Sequence, residues 1–287
     1  MKIANSITEY AEFRRTLDGS AGTQLVFVPT MGALHEGHRS LIKMARSLGD
    51  AVAVSIFVNP LQFGPGEDFA RYPRPLEDDL QVCEAEGVDV VFVPSVTDLY
   101  PPGRQITLDA GALGSVLEGR SRPGHFNGVL TVVSKLFNII RPQLAIFGEK
   151  DAQQLACIRR MVSDLNIPIE IVPAPIVREP DGLAISSRNV FLTATERAVA
   201  RSISAALEKA ATQTSVPSAR AAAYEVLDRA EVEPCFELDY AAIVNAATFT
   251  EVPDDHVGPA IFVVAAKVGE TRLIDNTMIN FAPPRWS

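Results

Sequence analysis

The segment Ala51-Val-Ala-Val-Ser-Ile-Phe-Val58 is apolar at nearly every position. A strand with one wet face alternates apolar and polar residues. This one does not, so both of its faces must be covered. Such strands belong to parallel sheets, whose crossover connections lay helices on both sides. The neighbouring sequence agrees. Strand-like runs at 24–28, 88–93, 144–147 and 169–172 alternate with helical patterns at 35–48 (stopped by Gly49), 76–86 (ended by Gly87), 129–140 (closed by Arg141 and Pro142) and 152–165. That order predicts an open parallel α/β sheet. Ligands of such sheets bind beyond the carboxyl ends of the strands, at the switch point.

The pattern changes after about residue 192. Residues 193–212 are Ala-rich and helical, with Thr193 or Thr195 as N-cap, and 219–230 form a second helical pattern. Strand-like runs follow at 236–244, 260–268 and 272–279. These make a smaller α+β unit with antiparallel character. Two domains are expected, 1–185 and 186–287, the second beginning with a loop that acts as a mobile lid. The tail 281–287 reads as frayed.

The first strand runs into Pro29-Thr-Met-Gly-Ala-Leu-His35-Glu-Gly-His38. This is a glycine turn followed by a helix that opens with two histidines. Residues three apart share a helix face. A helix N-terminus already favours anions through its free N–H groups and its dipole, and imidazoles add donors to phosphate oxygens. A triphosphate site is one reading; half of a metal site and a purely structural role are the others. Metalloprotease helices space their histidines four apart with a glutamate between, and here the spacing is three.

With 287 residues the chain can bury a proper core without staples. Its apolar runs are far too short to span a bilayer. Met1-Lys-Ile-Ala-Asn-Ser has no signal-peptide core. Cys83, Cys157 and Cys235 form neither a disulfide framework nor a zinc pattern, which suggests a reducing cytoplasm. The net charge of −9 argues against a nucleic-acid surface but leaves room for one small phosphate ligand.

Other polar positions fall at strand ends. Gly148-Glu149-Lys150-Asp151 stands between a strand and a helix. Lys150 can reach a phosphate and Asp151 a ribose hydroxyl, and an ordinary turn with an N-capping aspartate is the alternative. Ser186-Ser187-Arg188 offers two hydroxyls and a guanidinium to phosphate, or is a solvated loop with a capping serine. Asp181-Gly182 before it reads as a lid hinge. Gln62 and Gln154 are neutral amides suited to a hydroxyl- or carboxylate-bearing substrate, although surface glutamines are commoner. Glu118, Arg122 and His125 lie in a glycine- and charge-rich loop of the kind that carries function. Asp78 and Asp79 could help hold Mg2+ or form the acidic first turn of a helix.

Taken together, five blocks resemble the pantoate–β-alanine ligase (pantothenate synthetase) family over nearly the whole chain. They are 28–38, Ser55-Ile-Phe-Val-Asn-Pro-Leu-Gln-Phe63, Arg122-Pro-Gly-His-Phe-Asn-Gly-Val129, Phe147-Gly-Glu-Lys-Asp151 with Gln153-Gln154, and Asp181-Gly-Leu-Ala-Ile-Ser-Ser-Arg-Asn189. The resemblance implies a Rossmann-like sheet of nucleotidyltransferase type. It implies ATP-dependent condensation of pantoate with β-alanine to pantothenate, a coenzyme A precursor, through a pantoyl adenylate, with release of AMP and pyrophosphate. His35, His38, Lys150 and Arg188 would then be catalytic. ATP would meet Met31, Gly32, Ala33, Leu34, His35, Glu36, Gly37 and His38. It would also meet Gly148, Glu149, Lys150 and Asp151, with Val177, Ile185, Ser186, Ser187 and Arg188. Gln62, Gln154, Pro29, Thr30 and Met31 would meet pantoate and β-alanine. Mg2+ as cofactor, a cytoplasmic homodimer, and no nucleic-acid or membrane partner complete the expectation. Ala152 and Ile185 depart from the family's usual aromatic and methionine, and neither removes a charge. Two rivals are a nucleotidyltransferase that stops at the nucleotide adduct and an ATP-sensing module without turnover.

Overall fold

The structure, a computed structural model, describes residues 1–18 and 22–283. Its first part runs β1 (Lys2–Ala4), α1 (Ile7–Asp18), β2 (Leu25–Thr30), α2 (Glu36–Leu48), β3 (Ala51–Ile56), α3 (Leu76–Ala85), β4 (Val90–Phe92), the short α4 (Val96–Leu99) and α5 (Glu118–Ser121), α6 (His125–Ile140), β5 (Leu144–Gly148), α7 (Ala152–Asp164) and β6 (Glu170–Ala174). Then come α8 (Ala194–Ala211), α9 (Val216–Ala230), β7 (Phe236–Val244), β8 (Gly258–Val268) and β9 (Thr271–Phe281). Among the described residues no helix is long and apolar enough to cross a membrane.

The first sheet has six strands in the order β1-β4-β3-β2-β5-β6, all parallel. The chain moves from β2 outward to β3 and β4, then returns to β5 on the other side of β2. The switch point therefore lies between β2 and β5. Both faces are covered, as the apolar β3 requires. Val26 and Val28 pack with Ile42 and Ala45 of α2, in a cluster that includes Val52, Val54 and Ile146. Phe27 points to the opposite face and meets Phe137 of α6 edge-on at 6.5 Å. Tyr10 of α1 packs on Phe92 at 5.5 Å, and its hydroxyl donates to the Ile140 carbonyl. Each such fully buried side chain contributes roughly 1.5–3 kcal/mol.

The second sheet is antiparallel, β7-β8-β9. Ala200, Ile203 and Leu207 of α8 and Ala223 and Leu227 of α9 share a core with Phe262, Val264 and Phe281. Small alanines let these helices lie close to the strands. Thr193 is the N-cap of α8: its hydroxyl accepts from Glu196 N–H while the Glu196 carboxylate accepts from Thr193 N–H. This reciprocal capping box satisfies two otherwise orphaned donors.

Contacts sort the chain into two compact units. The first is Met1–Ser115, Arg122–Glu149 and Cys157–Pro175; the second is Val116–Ser121, Lys150–Ala156 and Ile176–Ser287. The continuous part of the second unit thus opens at Ile176, ahead of residue 186. Two earlier segments join it because polar side chains of the second sheet hold them.

Several local features differ from the sequence expectation. β1 and α1 lie outside it; the three edge residues of β1 show no usable period. α6 starts at His125 rather than 129, because Gly124 takes φ +83° as its N-cap and lets the chain turn early. Phe281 is not frayed: it ends β9 and is buried. The tail residues 284–287 lie outside the described residues.

Candidate nucleotide and substrate site

In the first unit, β2 ends in a turn built to hold one shape. Thr30 donates its hydroxyl to the Ser55 carbonyl (2.7 Å) and accepts from Gly32 N–H (3.2 Å). Gly32 and Ala33 both have positive φ, +82° and +52°. A Cβ on Gly32 would fall 2.8 Å from the Asp79 carboxylate, so glycine is required there. The Asp79 carboxylate accepts from Ala33 N–H (2.9 Å) and from Leu34 N–H (2.7 Å). Asp79 is buried. Burial pushes its carboxyl above the usual carboxylate range, against the pull of those two N–H groups. The turn also walls a cavity of about 480 Å3 lined by Met31, Phe57, Phe69, Leu76, Asp79 and Val93, among others.

The turn delivers His35 as N-cap of α2 and His38 in its first turn. The rings lie 4.1 Å apart between centroids, tilted by 35°. His35 N–H donates to His38 Nδ1 (3.3 Å). A neutral imidazole that accepts at Nδ1 carries its proton at Nε2. His38 is thereby a donor at Nε2, beside the positive end of a helix dipole. Glu36 is exposed and pairs with Arg39, while Gly37 and Leu34 are half-buried.

Pro29 and Thr30 belong to β2 itself, and Met31 links this turn to Gln62. Gln62 is buried; its Nε2 donates to Met31 Sδ (2.9 Å), and its Oε1 accepts from Asn59 Nδ2 (3.0 Å). A thioether is a weak acceptor, so a substrate oxygen can take its place at little cost. The surroundings are polar and interlocked. Asn59 donates to the Gly128 carbonyl and accepts from Tyr100 OH. Arg122 pairs with Glu67 at 2.7 Å and donates to the Gln62 carbonyl, which His125 Nδ1 also meets at 2.8 Å. Burial works to raise the Glu67 carboxyl, but Arg122 prevails and holds it below the usual range. Sequence reasoning does not single out Glu67 or Tyr100, and reaches Asn59 only as the start of the strand-end segment 59–64. The signal available was Asn59 at the end of an apolar strand.

Gly128 seats this cluster. A Cβ there would fall 2.2 Å from the Leu61 carbonyl oxygen and 2.7 Å from Gln62 N. Gly128→Ala must push residues 61–62 away from α6. We expect a loss of about 1–3 kcal/mol, typical of overpacking, read by urea unfolding.

Gly148 ends β5 and Glu149 follows it in the first unit, while the adjoining Lys150 and Asp151 belong to the second. In the second unit, Asn276 Nδ2 donates to the Lys150 carbonyl (2.9 Å). Lys150 and Gln154 are half-buried on one short stretch of chain. Gln153 beside them is buried: its Oε1 accepts from Glu118 N–H and its Nε2 donates to the Val116 carbonyl. Glu118 is buried too and pairs with Arg272 at 2.6 Å, with Tyr240 OH donating to the same carboxylate. Glu118 is therefore a structural anchor of the second unit, while Arg122 and His125 surround Gln62 in the first.

Val177 pairs with Ile185, whose N–H donates to the Val177 carbonyl (3.0 Å), in a narrow hairpin turned at Gly182, φ +92°. The hairpin is pinned: Arg197 bonds to Glu179 (2.6 Å) and Asp181 (2.9 Å). Ser186 caps the short helical turn Ser187–Phe191, its Oγ accepting from Arg188 N–H. Asn189 donates to Glu179 and to the Ala184 carbonyl, which fixes the far side of the loop.

Asp78 is exposed in the first turn of α3, and the Asp79 carboxylate is already committed to the turn above it. Among the described residues no group of three or more His, Cys, Asp or Glu side chains could hold a metal ion. Cys83, Cys157 and Cys235 are free thiols. Burial pushes Cys83 and Cys157 up to about 12, so both are inert.

An open parallel sheet whose switch-point strand feeds a rigid turn and a histidine-opened helix is the layout of a nucleotide-binding α/β enzyme. A sequence model of the family described as Pantoate-beta-alanine ligase matches residues 2–278. The pantothenate synthetase of Thermobifida fusca is 57% identical over 279 residues, covering 94% of this chain and 94% of that one. The crystal structure of pantothenate synthetase from Thermus thermophilus superposes with a TM-score of 0.88 at 44% identity, over 96% of this chain and 99% of that one. The pantoate-beta-alanine ligase of Francisella tularensis, solved with beta-gamma ATP and β-alanine, gives 0.81 at 37% identity, over 97% of each chain. The chain belongs to the pantoate-beta-alanine ligase family, and it is a ligase.

Proposed function

We propose that the chain joins pantoate to β-alanine in two steps at the expense of ATP. The pantoate carboxylate attacks the α-phosphate in line, giving pantoyl adenylate and pyrophosphate. The β-alanine amine then attacks the activated carbonyl and expels AMP. A carboxylate is a poor acyl donor, and adenylation supplies the leaving group. The observation that carries this reading is the helix start of α2, where His35 N–H on His38 Nδ1 makes Nε2 the donor nitrogen beside the helix N-terminus. Positioned donors of this kind stabilise charge that develops on phosphate.

In this mechanism His38 and His35 hold phosphate oxygens, and Lys150 and Arg188 add positive charge during adenylation. Among the described residues the Lys150 side chain has no ion pair, which leaves its charge available. Residues 31–38, 148–151 and 185–188, with Val177, contact ATP. Gln62 and Gln154 orient pantoate, with Pro29, Thr30 and Met31 beside Gln62, and β-alanine enters after the adenylate has formed. Magnesium accompanies the nucleotide. Asp78 and Asp79 do not form a cage for it, and Mg2+ is commonly carried on phosphate oxygens. A cytoplasmic homodimer is the working form; the free cysteines and the family resemblance support that part of the reading.

Labelled pyrophosphate should exchange into ATP when pantoate is present and β-alanine absent, and AMP should accumulate only once β-alanine is added. Exchange that requires β-alanine would indicate a concerted ternary reaction. Exchange without AMP after β-alanine is added would leave a nucleotidyltransferase, and ATP binding with neither reaction a sensor. Gln62→Ala and Gln154→Ala should damage pantoate recognition by about 1–3 kcal/mol each, the cost of unpaired buried groups, and leave ATP affinity unchanged in calorimetry. An equal fall in ATP affinity would remove both from the pantoate site.

A further inference from the structure

β9 carries an anomaly for a buried strand. Within Thr271–Phe281, Asp275 and Asn276 are adjacent, polar and both buried, opposite Val264 and Val263 of β8. Successive strand residues point to opposite faces, so two such residues in a row place polar groups on both sides of the strand. Buried polar side chains are retained where they find partners, and the partners here are specific. Asn276 Nδ2 donates to the Lys150 carbonyl at 2.9 Å. The Asp275 carboxylate takes both Arg178 terminal nitrogens, at 2.6 and 3.0 Å, and also accepts from Asn276 N–H. Arg178 NH1 donates as well to the Gly182 carbonyl at 3.1 Å, and so closes the hairpin that pairs Val177 with Ile185. One two-residue step of β9 therefore fixes two segments far apart in sequence, 150–154 and 177–185, within one compact unit.

Resting on the nucleotide role given above to Lys150, Val177 and Ile185, we infer that Asp275 and Asn276 are positioning residues of the nucleotide site. They set the spacing between the Lys150 backbone and the Val177–Ile185 hairpin. Asn276 contributes a neutral donor to a carbonyl. Asp275 contributes a bidentate carboxylate, which fixes the guanidinium in plane as well as in distance. The C-terminal sheet then helps to position the nucleotide site through these contacts.

A double-mutant cycle tests it, using pyrophosphate exchange with pantoate and Mg-ATP on the full chain. Asn276→Ala should lower kcat of exchange by about 10-fold and raise KM for ATP, while KM for pantoate stays unchanged. Misplacement by a fraction of an ångström is enough for such a loss. Asn276→Asp, which keeps the size but loses the donor, should match Asn276→Ala. In a Lys150→Ala background, Asn276→Ala should cost nothing further in rate, because coupled residues are non-additive. A purely structural Asn276 would lower thermal stability and give additive rate losses in the cycle, and that result would overturn the inference. Exchange by Asn276→Ala at the wild-type rate would overturn it too. Lys150→Ala at the wild-type rate would instead remove the nucleotide role of Lys150, on which the inference rests. Should Asn276→Ala fail to fold, Asn276→Ser carries the same cycle.

Discussion

Replacing His38 by alanine is expected to lower the single-turnover rate of adenylation by about 10²–10³, the usual cost of removing one preorganised donor to developing charge. Pantoate binding should change little, because pantoate recognition is assigned to the amides of Gln62 and Gln154. The geometry gives His38 two jobs. Its Nδ1 caps α2 by accepting from His35 N–H, which makes Nε2 the donor nitrogen of the ring. The two jobs can be separated. Glutamate at this helix position also caps the N-cap N–H, so His38→Glu should retain the stability that His38→Ala loses, about 0.5–2 kcal/mol for a helix cap. It should be at least as slow as His38→Ala, since it sets a negative charge against phosphate. A His38→Ala variant within a few-fold of wild type in quench-flow adenylation would take His38 out of the mechanism.

Asp79→Asn is expected to injure the same step from a distance. The carboxylate offers two acceptor oxygens to Ala33 N–H and Leu34 N–H. Asparagine keeps the shape but offers one oxygen, and its amide N–H2 group faces the remaining N–H. A donor left unpaired in a buried place costs about 1–3 kcal/mol, which urea unfolding should record. Ala33 also loses part of what holds it at φ +52°, a conformation that alanine adopts rarely. The turn should relax, shift the helix start with its two histidines, and slow adenylation by about 10²-fold, as misplacement by about an ångström does. Titration with excess Mg2+ discriminates between the two roles of this carboxylate. If Asp79 holds the turn, magnesium restores nothing. Recovery of the rate at high Mg2+ would make it a metal ligand after all.

Much of the candidate site was legible because it is local. Histidines at 35 and 38, after a glycine and at the end of an apolar strand, fall at the N-cap and in the first turn of the helix in any fold that forms it. Lys150 after a strand and Gln62 after another are similarly placed by the strand-end rule of parallel sheets. The roles of Asp79 and Glu118 were not legible. Asp79 stands in the acidic first turn of a helix and Glu118 in a glycine- and charge-rich stretch, where a metal ligand or a loop acid is as reasonable as a clamp. Their partners, Leu34 and Arg272, are 45 and 154 residues away. Gly128 is a similar case. Within an apolar helix it looks like a weak helix former, and only the Leu61 carbonyl lying where its Cβ would be explains it.

By itself the amino-acid sequence determined the alternation of strands and helices, the parallel character of the first sheet and the antiparallel character of the last. It also marked the strand ends that hold the candidate site residues. These follow from the period of apolar residues, from glycine and proline positions and from capping residues, all short-range properties that the chain expresses wherever it folds. The tertiary structure decided which polar groups answer one another. It turned Asp79 toward the Ala33–Leu34 backbone, joined Glu118 to Arg272, and ran β9 so that Asp275 and Asn276 hold Arg178 and Lys150. The physical reason is that a buried polar group is stable only with a partner of complementary geometry. The partner is selected by the packing of elements that are distant in sequence, and no local pattern records that choice.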